Sequence, residues 1–329
     1  MTKRRTLLRA LGAVALIAGT RPASGQQQMR IPRIGMLYFG ASNDSFSQVN
    51  AGVFRQRLAE LGYVDGKTIL IEERFAEGSA SRLNDLAREL VASNVDIIVA
   101  QAVAATIAAR QATRTIPIVM LHAGNPIGAG LIESLARPGG NVTGTSNILL
   151  GGKLVELLHE LVPRLGTLAV LANPTNAGVP PALADVADAA RRFNITVNLV
   201  PATRNEDFPD AFAMIRNARR DALLVLVEPL IAAHRAEVID FTARARLPTI
   251  YDNGPTARVG GLMSYALVYR EHYALAAVYV DRILKGAKPA DLPVQQPTRF
   301  ELIINMKTAK TLGLAIPQSL LVRADELIQ

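Results

Sequence analysis

From Arg33 onward the chain alternates β-prone runs with stretches of helical spacing, and this alternation constrains its fold more than any other feature. Residues 34–39 form a continuous apolar run followed by a polar loop, 40–47, and residues 49–61 have helical spacing closed by Gly62. Residues 67–75 alternate Ile69 and Ile71 with Glu72 and Arg74 as a strand does, and 81–92 reads as a helix capped by Ser81. Strands at 96–100 and 116–121 flank a helix at 106–113, and a further helix is predicted over 127–136. Strands separated by helices pair in parallel, in a sheet covered on both faces.

The pattern then starts again. The join is Gly130 to Asn147, GLIESLARPGGNVTGTSN, in which Arg137-Pro138-Gly139-Gly140 stops a helix and a β-prone run, 141–146, follows. Helices are predicted at 153–161, 182–193, 208–217 and 231–245, and strands at 167–172, 196–200, 222–227 and 249–251. A Gly-led strand, 260–265, precedes a long helix, 269–284. A Pro-rich stretch, 289–297, leads to a strand at 300–304, a helix at 306–312 and a tail. Two α/β lobes of one kind are expected, and the Pro-rich stretch has the composition of a surface crossing between them.

Composition narrows the function classes. Five of the eight net positive charges are Lys3, Arg4, Arg5, Arg9 and Arg21, so the rest of the chain carries only +3, too little to argue for a nucleic-acid partner. Without cysteine there is no disulfide, thiolate metal site, Cys nucleophile or lipid-modified Cys. Residues 1–25 have a basic start, an apolar run from Ala10 to Ala18 and Ala23-Ser24-Gly25 before Gln26. That is the order of a secretory signal peptide, too short to span a bilayer, and Arg4-Arg5 resembles a twin-arginine signal. A periplasmic protein with no membrane insertion after signal cleavage is expected.

Motifs for chemistry are missing. The Gly124–Gly130 glycines precede a predicted helix, yet lack nucleotide-fingerprint spacing and read as a tight turn whose N–H groups could face a carboxylate. His122, His159, His234 and His272 have no metal-ligand spacing, although His122 ends a predicted strand, where open α/β sheets bind ligands. Glu72 and Glu73, adjacent on a strand, face opposite ways and form no carboxylate dyad. No nucleophile elbow or triad order occurs, so no enzyme and no cofactor are expected. What remains is a set of polar and aromatic residues at strand C-terminal ends: Tyr38, Ser42, Asn43, Gln101 and Asn125 in the first half, and Asn173, Glu228, Tyr251, Asp252 and Asn253 in the second.

Several stretches carry a family resemblance. They are Asn125-Pro126 with the Gly130–Asn147 join, Leu247-Pro-Thr-Ile-Tyr-Asp252, Gly261-Leu-Met-Ser-Tyr265 and Tyr279-Val-Asp-Arg-Ile-Leu-Lys-Gly-Ala-Lys-Pro-Ala-Asp-Leu-Pro293. Gln296-Pro-Thr-Arg-Phe-Glu-Leu-Ile-Ile-Asn305 and Ala315-Ile-Pro-Gln-Ser-Leu-Leu-Val-Arg-Ala-Asp325 continue the series. Together they resemble the ABC transporter substrate-binding family that includes tryptophan/tyrosine-type binding proteins. The resemblance implies the type I periplasmic binding protein fold: two Rossmann-like lobes, parallel sheets flanked by helices, and a three-segment hinge. It implies lobe 1 from 31–146 plus 267–288 and lobe 2 from 147–266 plus 289–329, with crossings near 145–150, 265–269 and 289–297.

By the same resemblance, a monomer would hold a small organic molecule, an amino acid or related carboxylate, by hinge closure and deliver it to an inner-membrane ABC permease. A membrane sensor is the alternative partner. Ligand-binding candidates are Tyr38, Ser42, Gln101, Asn125, Ser146, Asn147, Asn173, Glu228, Tyr251 and Tyr265. The chain departs from the family in having Asn125 before Pro126 where Asp is usual and Ala266 where Gly is usual. An ammonium group would then be neutralised by Glu228, Asp252 or Asp44, or by carbonyls.

Overall fold

The computed structural model describes residues 30–329 except Asp44, Ala177 and Arg219. The expected signal peptide over 1–25 and the candidate Asp44 lie outside the described residues. The first sheet comprises β1 (Arg33–Tyr38), β2 (Leu70–Phe75), β3 (Ile97–Gln101), β4 (Ile118–Ala123) and β5 (Val142–Ser146), all parallel, in the order β2-β1-β3-β4-β5. Helices α1 (Ser45–Glu60), α2 (Ala80–Ala92) and α3 (Ala102–Ala112) connect the first four strands.

Each strand serves two cores because side chains alternate across the sheet. On β1, Ile34, Met36 and Tyr38 face one core, which includes Phe54 of α1, whereas Leu37 faces the other with Leu90 of α2.

The second lobe runs through α4 (Gly151–Leu161), β6 (Thr167–Ala172), α5 (Val179–Arg192), β7 (Thr196–Pro201), α6 (Phe208–Asn217) and β8 (Ala222–Val225). It continues with α7 (Pro229–Ala233), α8 (Arg235–Arg244), β9 (Thr249–Tyr251), α9 (Gly254–Arg258) and β10 (Met263–Leu267). The chain then returns to the first lobe as α10 (Tyr269–Leu284), whose Tyr273, Ala276 and Val280 join the β1 core. It crosses again to form β11 (Phe300–Asn305), α11 (Met306–Leu312), α12 (Gln318–Arg323) and β12 (Glu326–Ile328). The second sheet has the order β12-β11-β10-β9-β8-β6-β7, parallel except for the antiparallel β10–β11 pair. Among the described residues no helix is long and apolar enough to cross a membrane.

Four details correct the sequence expectations. No helix forms over 127–136. Asn125 opens a single turn, in which Ala129 N–H donates to the Asn125 carbonyl at 3.0 Å, and Gly130 at φ 65° turns the chain away, so that Leu131 and Ile132 plug the first core. Ser79, not Ser81, caps α2, accepting from Arg82 N–H. The predicted helix 231–245 is two helices, interrupted at His234, whose ring stacks on Phe208 at 4.0 Å. The tail folds as α12 and β12, because β11 leaves an edge that β12 pairs in parallel.

The Pro-rich stretch is also not free of the first lobe. Thr143 Oγ1 donates to the Leu292 carbonyl at 2.7 Å, and Ser146 N–H to the Gln295 carbonyl at 2.9 Å, which puts residues 292–295 beside β5.

Candidate functional site

In a parallel sheet every loop that follows a strand emerges at the same edge. Here those edges enclose a cavity of about 500 Å³. From the first lobe come Phe39 to Ala41 and Asn43 after β1, Gln101 to Ala104 around the β3–α3 junction, His122 and Gly124 at the end of β4, and Tyr269 at the start of α10. From the second come Asn176 and Gly178 before α5 and Val179 at its start, Leu226 to Glu228 after β8 and Pro229 at the start of α7, Arg235, and Asp252 and Asn253 after β9. Asn147 to Gly151, the connection between β5 and α4, joins the two sides.

The second lobe contributes acid. Glu228 is nearly buried, and its Oε1 accepts from Ile231 N–H at 3.0 Å, capping α7, while Oε2 accepts from Asn173 and Asn176 amides at 3.4 Å. Burial holds its carboxyl above the usual range despite those donors. Asp252 Oδ1 accepts from Val227 N–H at 2.7 Å; burial, with the Glu228 charge adding to it, pushes its pKa up to about 7. Arg235 supplies the opposite charge, and its buried Nε has no hydrogen-bond partner among the described residues.

The first lobe contributes aromatic and neutral polar groups. Gln101 donates through Nε2 to Tyr273 Oη at 2.9 Å, and the His122 ring meets Tyr269 edge to face at 5.1 Å. Ala102 and His122 both have left-handed backbones, at φ 62° and 40°, which non-glycine residues adopt only where the surroundings impose them. Helix ends matter too. The N-terminus of α3 has no side-chain cap, and its first residues line the cavity. Apolar lining comes from Phe39, Val103, Leu150, Leu154, Val179 and Leu226.

Three of the ten ligand-binding candidates, Gln101, Asn147 and Glu228, line this cavity, as do Asn43, Asp252 and Asn253 from the wider strand-end set and His122, the histidine that ends a predicted strand. The other seven candidates do not. Tyr38 lies on the Ile34–Met36 face of β1, buried and stacked on Phe75 at 4.7 Å, with its hydroxyl donating to Glu73. Tyr251 is likewise turned into the core beneath β8, and Tyr265 stacks on Phe300 across the β10–β11 pair. Ser42 is exposed and pairs through its N–H with Glu77. Asn125 is an exposed turn residue whose Oδ1 accepts from Gly128 N–H at 3.1 Å. That turn engages several of its N–H groups internally, so the expected carboxylate cradle does not form. Ser146 is wholly buried in β5. Asn173 acts at one remove, donating to Glu228.

Sequence reasoning missed Tyr269, Arg235 and Asn176. Tyr269 follows β10 directly, so the strand-end rule could have found it; Arg235 becomes reachable only through the break at His234, which helical spacing does not reveal. Among the described residues no three His, Asp or Glu side chains gather where they could hold a metal ion.

Comparison with known proteins bears on this geometry. The sequence profile of the family described as ABC transporter substrate binding protein matches residues 36–328. A protein of Clostridioides difficile (strain R20291) named tyrosine-binding protein is 28% identical over 261 residues, 79% of this chain and 75% of that one. The crystal structure of an ABC domain in complex with L-Trp from Streptococcus pneumonia superposes with TM-score 0.84 at 28% identity, covering 90% of this chain and 99% of the other. A conserved domain protein from Vibrio cholerae superposes with TM-score 0.84 at 27% identity, covering 91% and 100%. The architecture is the two-lobed α/β fold of type I periplasmic binding proteins.

Proposed function

We propose, from the premise that this chain belongs to the ABC transporter substrate-binding protein family, that it takes an amino acid or a related small carboxylate into the cavity between its lobes. Proteins of this family are non-catalytic substrate-binding components of ABC transporters. The observation that carries the finer reading is that two carboxyl groups share the cavity with Arg235 and a helix N-terminus, groups suited to the two ends of a zwitterion. Glu228 and Asp252 on the second lobe suit an ammonium group, and the N-terminus of α3 on the first, which no side chain caps, suits a carboxylate. A zwitterion bound to both lobes stabilises the closed form more than the open one, because only closure completes both sets of contacts. The three connections between lobes, 147–150, 267–269 and 296–299, act as the hinge. Apolar lining from Phe39, Val103, Leu154 and Leu226 suits an apolar or aromatic side group.

The names of the two relatives above, one for tyrosine and one solved with L-Trp, support this ligand class. Export to the periplasm through residues 1–25 and delivery to an inner-membrane permease complete the proposal. Asn147 and Gln101 would add hydrogen bonds at the cavity floor and wall. Mass spectrometry of the small molecule released from the purified protein tests the reading: an amino acid or a close carboxylate relative is expected, and a neutral sugar or a nucleoside would contradict it.

A further inference from the structure

One lobe-1 residue in the cavity has no role in the charge scheme above. His122 is 8% exposed and lines the cavity, and its Nε2 is buried without a hydrogen-bond partner among the described residues. A buried ring nitrogen left unpaired costs free energy, so its position asks for a compensating partner.

The backbone places it there deliberately. β4 pairs in register with β5 as far as Met120 opposite Gly144, then slips by one residue before Ala123 meets Ser146. The extra residue forms a bulge, a device that re-aims a side chain next to a site. His122 takes φ 40°, and its N–H leaves the strand ladder for Thr145 Oγ1 at 2.9 Å. Gly144, at φ 123°, lets β4 approach, since a Cβ there would lie 2.3 Å from the Met120 carbonyl oxygen.

The chemistry of the ring follows from its surroundings. The Tyr269, His272 and Tyr273 rings lie 5.1, 6.4 and 6.2 Å away, and no carboxylate makes a hydrogen bond or ion pair with the ring among the described residues. Burial, with His272 beside it, pushes the pKa down to about 3, so the imidazole is neutral. A neutral ring has one N–H and one acceptor nitrogen, and Nε2 is the ring nitrogen buried without a partner among the described residues.

We infer that His122 is a specificity-determining residue of this cavity, accepting through Nε2 a hydrogen bond from a hydroxyl or N–H on the side group of the bound molecule. The inference deepens the amino-acid reading and rests on it for the site, though not for the ligand's charged groups. A ligand without that donor leaves Nε2 desolvated and unpaired, which is how a polar site rejects an apolar analogue.

The test has three arms. First, the ring nitrogens of His122 are read by NMR of the full chain labelled with 15N-histidine. The Nδ1–H tautomer with unprotonated Nε2 is expected, and an Nε2–H tautomer overturns the inference whatever the ligand. Second, calorimetry compares L-tyrosine with L-phenylalanine and L-tryptophan with 1-methyl-L-tryptophan. The wild type should favour the donor-bearing member of at least one pair by about tenfold or more, and His122→Phe should remove the gap. Equal affinities within both pairs, or a gap unchanged in His122→Phe, overturn it. Third, millimolar phenol should move the Nε2 resonance, whereas toluene should not. If phenol acts and no amino acid binds, the amino-acid reading falls and this inference stands. If amino acids bind without discrimination, the reverse holds. If neither phenol nor any amino acid acts, both fall. The first and third arms use the wild-type chain, so they decide even if His122→Phe fails to fold.

Discussion

Gln101 and Tyr273, 172 positions apart in sequence, share a buried hydrogen bond of 2.9 Å in which the amide donates to the phenol oxygen. It ties the end of β3 to the helix that returns after the second lobe is complete, so the cavity wall of the first lobe is set only when both passes of the chain are in place. Tyr273→Phe leaves the Gln101 amide donating to Ser47 Oγ at the longer distance of 3.4 Å. A destabilisation of about 1–2 kcal/mol is expected, read as a lower unfolding midpoint in denaturant.

Asp252 makes ligand affinity depend on pH. An ammonium group needs the ionised carboxylate, whose pKa is pushed up to about 7 by burial, with the Glu228 charge adding to it. Affinity for an amino acid should therefore fall as pH drops below 7, approaching tenfold per unit, and Asp252→Asn should flatten the profile. The stability sign is the opposite: between about pH 4 and 7 the folded state holds a proton at Asp252 that the unfolded chain has lost, so this group's contribution declines as pH rises through that window. Calorimetry and thermal unfolding across pH 5–8 check both slopes.

Glu228 has two duties that can be separated. Its charge suits a cation, and its Oε1 caps α7. Glu228→Gln keeps an oxygen for Ile231 N–H, so it should weaken amino-acid binding about tenfold or more with little change in melting. Glu228→Ala should add about 1 kcal/mol of lost capping.

Gly144→Ala should destabilise the first lobe by more than 2 kcal/mol, because the new Cβ meets Met120 backbone at 2.3 Å and the residue must hold φ 123°. Chemical denaturation measures the loss. A stability within 0.5 kcal/mol of wild type would show that the β4–β5 bulge is not rigidly imposed.

The alternation of β-prone and helical runs was enough to read two parallel-sheet lobes, since no hairpin signal competes with it. Strand ends could be read as well, which brought out Gln101, Glu228, Asp252 and Asn253. What the residues alone do not carry is the face on which the last strand residue points. Tyr38 and Tyr251 each share the face of core residues two positions earlier or on the next strand, so both turn inward. The helix expected over 127–136 failed for a local reason, the left-handed Gly130, which three glycines between 124 and 130 already hinted at. His122 reaches the cavity through a one-residue slip between strands distant in sequence, and no periodicity encodes that.

Whether the cavity between the lobes binds an amino acid is decided by calorimetric titration of the purified protein with each of the twenty common amino acids. Saturable binding of one molecule per chain, in the micromolar range or tighter, is expected for at least one amino acid with an apolar or aromatic side group, weakened in Glu228→Gln. Absence of binding for all twenty in protein freed of co-purified ligand by unfolding and refolding would contradict it.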